Sequence, residues 1–220
     1  MGPGTVPPPK DVGTMRSYLD KMRPEDFGLS ADLEFFKTSS PVNGNPTIAY
    51  ATIYSCDNFS MCMFFLPPTA VIPLHNHPGM TVFSKLLLGT MHITSYDFVD
   101  PSISDEATPS NFKLARLVVD SDFTAPCKTC TLYPASGGNM HTFRAITPCA
   151  VLDVLGPPYS KEDDRDCTYY RASPYSRISD EFVDRDGERD NDLYLLEEIE
   201  VPQELKMVGV EYLGPQIIDI

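Results

Sequence analysis

PLHNHPGMTVFSKLLLGTMH, residues 73–92, places two of the chain's four histidines two positions apart. Because side chains i and i+2 of a β-strand point to the same side, His75 and His77 would direct two imidazoles at one point. Pro73 and Pro78 flank the pair and restrict the backbone on either side of it. The segment that follows, TVFSKLLL, has the composition of a β-strand.

A third histidine, His141, lies in YPASGGNMHTF, residues 133–143. The adjacent glycines Gly137 and Gly138 allow a tight turn there, before a strand-like TFRAI. An isolated His-x-His can be a pair of ordinary polar residues at a strand end. With a third histidine after a glycine turn, a metal site becomes the favoured interpretation. The fourth histidine, His92, is expected on the outward face of its strand.

Strand signals dominate the chain from Thr47 onward, separated by Gly, Pro, Asn and Asp. The strand-like segments are TIAYATIY, FSMCMFFL, TVFSKLLL, MHITSYDF, KLARLVV, TLY, TFRAI, AVLDVL and TYYRA. Helical spacing of apolar residues occurs in DVGTMRSYLDKM, residues 11–22, which ends before Pro24. We therefore predict an all-β fold, a two-sheet jelly-roll barrel with a short N-terminal helix.

The net charge of −14 argues against binding to nucleic acid phosphates. The segment from Asp180 to Glu204 holds 11 acidic and two basic residues. This acidic segment is expected to be either a solvated, loosely ordered stretch or an attraction for a basic substrate or partner. With no long apolar run, no membrane span is expected. The six irregularly spaced cysteines are expected to be thiols.

The length of 220 residues suffices for one domain with a sizeable core. We predict a disordered lead at residues 1–9 and a single domain at 10–220, which includes the acidic segment 180–204. Its final strand-like MVGVEYLG is expected to wrap the outside of the barrel together with the acidic segment. A monomer inside the cell is expected.

The histidine segments resemble those of the cupins. His75-x-His77, a four-residue gap, Val82, a six-residue gap and Gly89 are similar to the first cupin motif, with Val82 where many cupins carry a glutamate ligand. Three strings together resemble the plant cysteine oxidases, cupin thiol dioxygenases similar to the animal cysteamine dioxygenase. They are PLHNHPGMTVFSKLLLGTMHITSYDF, TLYPASGGNMHTFRAITPCAVLDVLGPPYS and DDRDCTYYR.

This resemblance implies a double-stranded β-helix barrel in which His75, His77 and His141 hold Fe(2+). It implies an enzyme that adds both atoms of O2 to the thiol of an N-terminal cysteine and forms the sulfinic acid. The implied partners are Cys-initiating proteins, notably the group-seven ethylene-response transcription factors. Their oxidation would feed the N-degron pathway and let the enzyme sense oxygen in hypoxia. The expected location is the cytoplasm, the nucleus or both.

The residues alone leave the metal and the substrate open. Three neutral imidazoles keep the full charge of a divalent ion and leave coordination positions free, and either iron or zinc accepts such a set. A small-molecule dioxygenase for cysteamine or free cysteine is one alternative function, and a non-catalytic metal-binding cupin is another. A closed pocket with an inward arginine would favour free cysteine, whose carboxylate it would bind.

Two further residues are candidates for catalysis. Asp153 lies within AVLDVL, the most apolar strand-like segment, and faces inward if Val151 and Leu155 do. A buried carboxylate is costly unless paired, so Asp153 would form a structural ion pair or receive the substrate's ammonium group or a proton. In the family that the chain resembles, the matching aspartate lies in the active site. Tyr159, after a Gly-Pro-Pro turn, would be a surface residue or donate a hydrogen bond near dioxygen.

Cysteine pairs give weaker signals. Cys167 and Tyr169 form a Cys-x-Tyr pair on one predicted strand face, and an animal relative carries a crosslink between a matching pair. A packed thiol beside a packed ring is the expectation here, which makes the two possible secondary site residues. Cys127-x-x-Cys130 could be a redox dithiol or half of a zinc site. Because no second such pair exists, two cysteines at a loop end are expected.

Overall fold

The structure is a computed structural model that describes residues 3–30, 33, 36, 46–99, 111–175 and 192–217. Its helices are α1 (Pro9–Leu19) and the 3-10 helices Pro24–Phe27 and Lys161–Asp163. Its strands are β1 (Ile48–Ser55), β2 (Ser60–Leu66), β3 (Val71–His75), β4 (Thr81–Leu88), β5 (Thr90–Phe98), β6 (Phe112–Thr124), β7 (Cys130–Leu132), β8 (Met140–Ala145), β9 (Cys149–Gly156), β10 (Tyr169–Pro174), β11 (Leu193–Ile199) and β12 (Met207–Gly209). Among the helices described, none has the length and apolar character needed to cross a membrane.

The strands form two sheets around a shared interior. The first sheet has the order β12-β1-β2-β9-β4-β7, and the second closes on itself in the order β10-β11-β6-β5-β8-β3. Strands β4, β9 and β7 of the first sheet and β5, β6 and β8 of the second line one interior cavity. The prediction of an all-β, double-stranded β-helix barrel with a short N-terminal helix is confirmed.

Strands β4 and β9 are buried along almost their whole length. Such continuous burial is expected for strands covered on both sides. Their register pairs Val82 with Leu155, Ser84 with Asp153 and Leu86 with Val151, and this set faces the interior. The alternate residues Leu152 and Val154 face outward and pack in one cluster with the helix residues Val12 and Leu19. Helix α1 therefore covers the first sheet from outside.

The N-terminal lead is ordered where the structure describes it. Pro9 occupies the first helical turn, where its missing N–H costs no hydrogen bond. Before it, Pro7 is buried, and the Gly4 N–H donates to the Gly79 carbonyl over 2.8 Å. Residues 3 and 4 thus contact the turn that follows His77, within the segment 1–9 for which we predicted disorder.

Part of the acidic segment is a strand of the barrel. Strand β11 lies between β10 and β6 in the closed sheet, and its Leu196 side chain is fully buried. This corrects the expectation that the acidic segment wraps the outside, because residues 193–199 are hydrogen-bonded on both sides within the closed sheet. Residues 180–191 and the polar loop 100–110 lie outside the described residues. The C-terminal β12 pairs in parallel with β1 at the edge of the first sheet.

Candidate active site

Three histidines converge inside the barrel. His75 ends β3, His77 follows two residues later, and His141 lies on the neighbouring β8, where the register pairs it with His75. The His75 ring centroid is 5.0 Å from that of His77 and 4.7 Å from that of His141. One nitrogen from each ring lies within 4.8 Å of the others, and all three side chains are buried. Because His77 lies beyond the strand, strand alternation alone does not explain the convergence.

Hydrogen bonds on the Nδ1 side direct the Nε2 atoms of the first two histidines toward the centre of the group. His75 Nδ1 lies 2.8 Å from the Pro73 carbonyl oxygen, which can only accept, so this nitrogen carries the proton. His77 Nδ1 lies 2.8 Å from the Tyr159 hydroxyl oxygen, and that hydroxyl donates to the Asn76 carbonyl over 2.8 Å. The Tyr159 oxygen is then the acceptor for the His77 Nδ1 proton, which leaves Nε2 with its lone pair.

The donor set fits a divalent metal ion. The Nε2 atoms of His77 and His141 lie 3.3 Å apart, so two imidazole nitrogens face each other where a cation would satisfy both. Burial lowers the pKa of His75, His77 and His141 and favours the neutral form that binds metals. The Phe143 ring stacks on His141 at 4.3 Å and holds it in place. Among the residues described, no carboxylate joins the three histidines in this group.

Asn139 joins the two segments that carry the histidines. Its side-chain oxygen accepts from the His77 backbone N–H over 3.1 Å, and its amide donates to the His77 carbonyl over 3.0 Å. The same amide donates to the Tyr133 carbonyl over 2.8 Å. Asp97 in turn accepts from the backbone N–H groups of Gly138 and Asn139. Asn139 therefore sets the position of His77 relative to the turn that leads into His141.

Replacing Asn139 with Ala should weaken metal binding by about 10- to 100-fold, the range typical of residues that orient metal ligands. Asn139→Asp has the same shape but loses both amide donors, so it should be comparably affected. Titration of the metal-free variants with Co(II) or Zn(II), alongside their melting temperatures, measures this. Asn111→Ala removes an exposed asparagine and serves as the control. Unchanged affinity in a folded Asn139 variant would contradict the positioning role.

Tyr159 forms a hydrogen bond with His77 at Nδ1, the ring nitrogen that points away from the other two histidines. Its ring is 36% exposed, but its hydroxyl points inward to His77 Nδ1 and the Asn76 carbonyl. The hydroxyl proton of Tyr159 is directed to the Asn76 carbonyl in this geometry, and a hydrogen bond from Tyr159 to dioxygen stays a prediction. The hydroxyl instead holds His77 in the tautomer that exposes Nε2.

Asp153 faces the interior, as its place between Val151 and Leu155 predicted. It is 4% exposed, Ser84 donates a hydrogen bond to it, and its Oδ1 atom has no hydrogen-bond partner. Burial raises the pKa of this carboxyl to about 7, although the Ser84 hydrogen bond opposes the shift. Among the residues that the structure describes, no cation pairs with Asp153, so none of them offsets its cost of burial.

Cys167 and Tyr169 are in contact, but Cys167 precedes β10 and is not part of a strand. The Cys167 thiol takes part in hydrogen bonds with the hydroxyls of Tyr169 and Tyr159, and burial raises its pKa to about 11. The register pairs Tyr169 with His75, and their rings lie 6.3 Å apart. A protonated, packed thiol beside a ring agrees with the expectation for this pair.

The other candidates lie elsewhere. His92 lies on the outer surface, where its two ring nitrogens are 2.7 Å from Asp122 and 2.9 Å from Asp120. These carboxylates raise the pKa of His92. Cys127 lies in a loop and Cys130 begins β7; both are free thiols, as are the other four cysteines.

Two cavities lie near the histidine group, one with His141 in its wall and one with Tyr169, whose ring is 6.3 Å from that of His75. An interior cavity of about 60 Å³ is lined by His141, Ser84 and mainly apolar side chains. An open cleft of about 550 Å³ is lined by Cys167, Tyr169 and the acidic residues Asp166, Glu198 and Glu200, among others. We refer to these as the interior cavity and the acidic cleft.

Asn76 and Asn139 are the functional residues that sequence analysis missed. Asn76 pairs with Thr168 through its backbone N–H, and its side-chain oxygen accepts from the Thr168 N–H over 2.9 Å. It thereby ties the His-Asn-His segment to the chain between Cys167 and Tyr169. Their positions, within HNH and immediately after Gly-Gly, were the only signal in the sequence.

Comparisons with known proteins identify the family to which this sequence is similar. The PCO_ADO family model matches residues 18–217. Plant cysteine oxidase 2 of Arabidopsis thaliana is 50% identical over 215 residues, which cover 97% of this chain and 76% of that protein. The 2-aminoethanethiol dioxygenase of Mus musculus is 33% identical over 180 residues, which cover 74% of this chain and 69% of that protein.

Among solved structures, an RmlC-like cupin protein from Desulfovibrio desulfuricans aligns at 16% identity with a TM-score of 0.35, over 59% of this chain and 97% of that chain. That score is too low to carry an argument, and the family match rests on sequence. Because the family model covers most of the chain and relatives at 33–50% identity align over most of their own length, this chain belongs to the PCO_ADO family.

Proposed function

We propose that this protein is an Fe(II)-dependent thiol dioxygenase that oxidises the N-terminal cysteine of target proteins to cysteine sulfinic acid. The observation that carries the proposal is the buried group of three histidines in a member of the PCO_ADO family. The reaction balances without a further reductant, since one thiol and one O2 together give one sulfinic acid. Iron(II), held by His75, His77 and His141, would supply the binding of the thiolate and the activation of dioxygen.

The protein's own residues would orient the substrate and handle its protons. The Asp153 carboxyl has an unpartnered oxygen and a pKa raised to about 7, so it can accept a proton or a hydrogen bond from the substrate's thiol or ammonium group. The apolar strands around it exclude water, which strengthens such contacts. Tyr159 and Asn139 would keep His77 in its binding orientation.

The acidic cleft supports a protein substrate rather than a free amino acid. Three carboxylates line it, from Asp166, Glu198 and Glu200, and none of its described lining residues is basic. Asp166 pairs with Lys161 at 3.4 Å, so Glu198 and Glu200 supply most of the negative charge. None of the described residues around the interior cavity is an arginine that would bind the carboxylate of free cysteine. A chain with basic residues after its N-terminal cysteine would therefore be preferred.

The implied substrates are the group-seven ethylene-response transcription factors, with oxidation as an oxygen-dependent mark for the N-degron pathway. The relatives named plant cysteine oxidases support this assignment. Such substrates would place the protein in the cytoplasm, the nucleus or both.

The test is mass spectrometry of a Cys-initiating peptide with nearby Lys or Arg residues, incubated in air with iron-loaded protein. We expect a mass gain of two oxygen atoms at residue 1 and little reaction of an N-acetylated peptide, which lacks the ammonium group. Added salt should raise the KM of the basic peptide because exposed carboxylates are screened. Cysteamine and free cysteine should have kcat/KM values lower by at least about tenfold.

Comparable kcat/KM values for cysteamine and the peptide would replace the protein-substrate proposal with the small-molecule alternative. No oxygen uptake with any thiol, from protein shown to hold iron, would leave a non-catalytic metal-binding cupin.

A further inference from the structure

The interior cavity reaches the histidine group at His141. Its inner wall includes His141 and the Phe143 ring stacked on it, and its other walls include the apolar residues Leu86, Ile93 and Val151. Its volume of about 60 Å³ holds a diatomic or triatomic molecule but not an amino acid residue. The cavity therefore has room for a small molecule, and its mainly apolar wall favours an apolar one.

The outer end of the cavity lies between β6 and the loop before β7. Val119 and Phe123 of β6 and Lys128 of the loop line it there, and Lys128 is exposed to solvent. Asp20 at the end of α1 holds this loop, because its Oδ1 atom accepts from the Thr129 N–H and hydroxyl, each at 2.7 Å. The loop that lines this end of the cavity is thus tied to the end of α1.

The acidic cleft approaches the same histidines through different residues. It is lined by Tyr169, which pairs with His75, and by Cys167, whose thiol contacts Tyr159. No residue lines both the cleft and the interior cavity among those described. A peptide in the cleft would close that side to other molecules and leave the cavity side open.

We propose that the interior cavity is the entry route and holding site of dioxygen, separate from the acidic cleft that receives the peptide. The proposal rests on the proposed function and adds the path of its second substrate. Dioxygen is small and apolar, so it partitions from water into an apolar cavity, whereas a charged N-terminal cysteine does not. Dioxygen would therefore reach the side of the metal site at His141 while the peptide is already bound.

Xenon tests the cavity without any dependence on activity, because it enters dry apolar cavities of proteins. In zinc-loaded protein, a xenon titration should shift the methyl NMR signals of Leu86, Ile93 and Val151. Val119→Phe, which places a ring at the cavity wall, should abolish these shifts. Val118→Phe makes the same change at an exposed residue that does not line the cavity, and should preserve them.

Kinetics of the iron-loaded enzyme test the route. We expect Val119→Phe to raise the KM for O2 by about fivefold or more, with the KM for peptide and kcat at saturating O2 unchanged, and Val118→Phe to match wild type. Xenon should compete with O2 but not with peptide in the wild-type enzyme, a result that needs no variant.

Two results would overturn the inference: a wild-type cavity that binds no xenon, or saturating xenon that leaves the KM for O2 unchanged. Failure of the proposed function is distinguishable, because wild-type protein would then oxidise no peptide at any oxygen pressure.

Discussion

Replacing His75, His77 or His141 singly with Ala is expected to abolish tight iron binding and activity while the barrel remains folded. A site that loses one of three ligands keeps too few donors, so metal affinity should fall by more than about a hundredfold. The three rings lie between the two sheets, and strand pairing around them does not depend on their nitrogens. Metal content after dialysis and circular dichroism of the same samples measure both parts of the prediction.

His92→Ala is the matched control for the ligand set. Its ring nitrogens are bound to Asp120 and Asp122 on the outer surface, so its loss should leave iron content and turnover near the wild-type values. Loss of iron in His92→Ala together with its retention in His141→Ala would show that the ligand set is wrong.

Most of the fold was predictable because most strands carry their own sequence signal. β-Branched and aromatic residues between Gly, Pro, Asn and Asp indicated nine of the strands, and the paired glycines before His141 indicated the turn that presents it. Strand β11 was missed because its acids, among them Glu197 and Glu198, make the segment read as a solvated stretch. Its burial depends on β10 and β6 on either side, and sequence-local patterns do not report such neighbours.

The metal ligands were predictable but not the residues that orient them. Asn139 and His77 are 62 positions apart, and Tyr159 and His77 are 82 apart. Their hydrogen bonds arise only when β8 and the Gly-Pro-Pro turn have reached β3 in the folded chain. The hydrogen bonds of Tyr159 to His77 and Asn76 could not be predicted for the same reason. The sequence shows that a tyrosine is present but not which side of His77 it contacts.

Asp153 was predictable because an acid interrupts an apolar strand, and its position confirms that inference. The catalytic role of Asp153 stays a prediction. Whether Asp153 is structural or catalytic depends on which group forms a hydrogen bond with its Oδ1 atom. The unpartnered Oδ1 atom favours a ligand as that partner, because proteins rarely leave a buried polar atom unsatisfied.

The pH dependence of stability tests whether Asp153 is an uncompensated buried acid. Its pKa is raised from 3.8 to about 7, so in metal-free protein the folded state holds a proton that the unfolded state releases between these values. For this group, stability is therefore greatest below about pH 4, falls by a few kcal/mol between about pH 4 and pH 7, and levels off above the folded-state pKa. In urea denaturation of the metal-free proteins, the stability of wild type relative to Asp153→Asn should therefore be lower at pH 8 than at pH 5. The three buried histidines change stability with pH in the opposite direction, but they do so in both proteins, and their contribution cancels in this difference.

Asp153→Asn is expected to reduce turnover by at least about a hundredfold, the loss typical of a removed general acid or base, with iron content retained. Asparagine keeps the shape of the side chain and a hydrogen bond from Ser84, but it carries no charge and accepts no proton. Rates of peptide oxidation and iron content per protein measure the two parts. Asp57→Asn, at an exposed turn, is the control for loss of one carboxylate. Near-normal turnover in an iron-loaded Asp153→Asn would reduce Asp153 to a structural residue and require another acceptor for the substrate's proton.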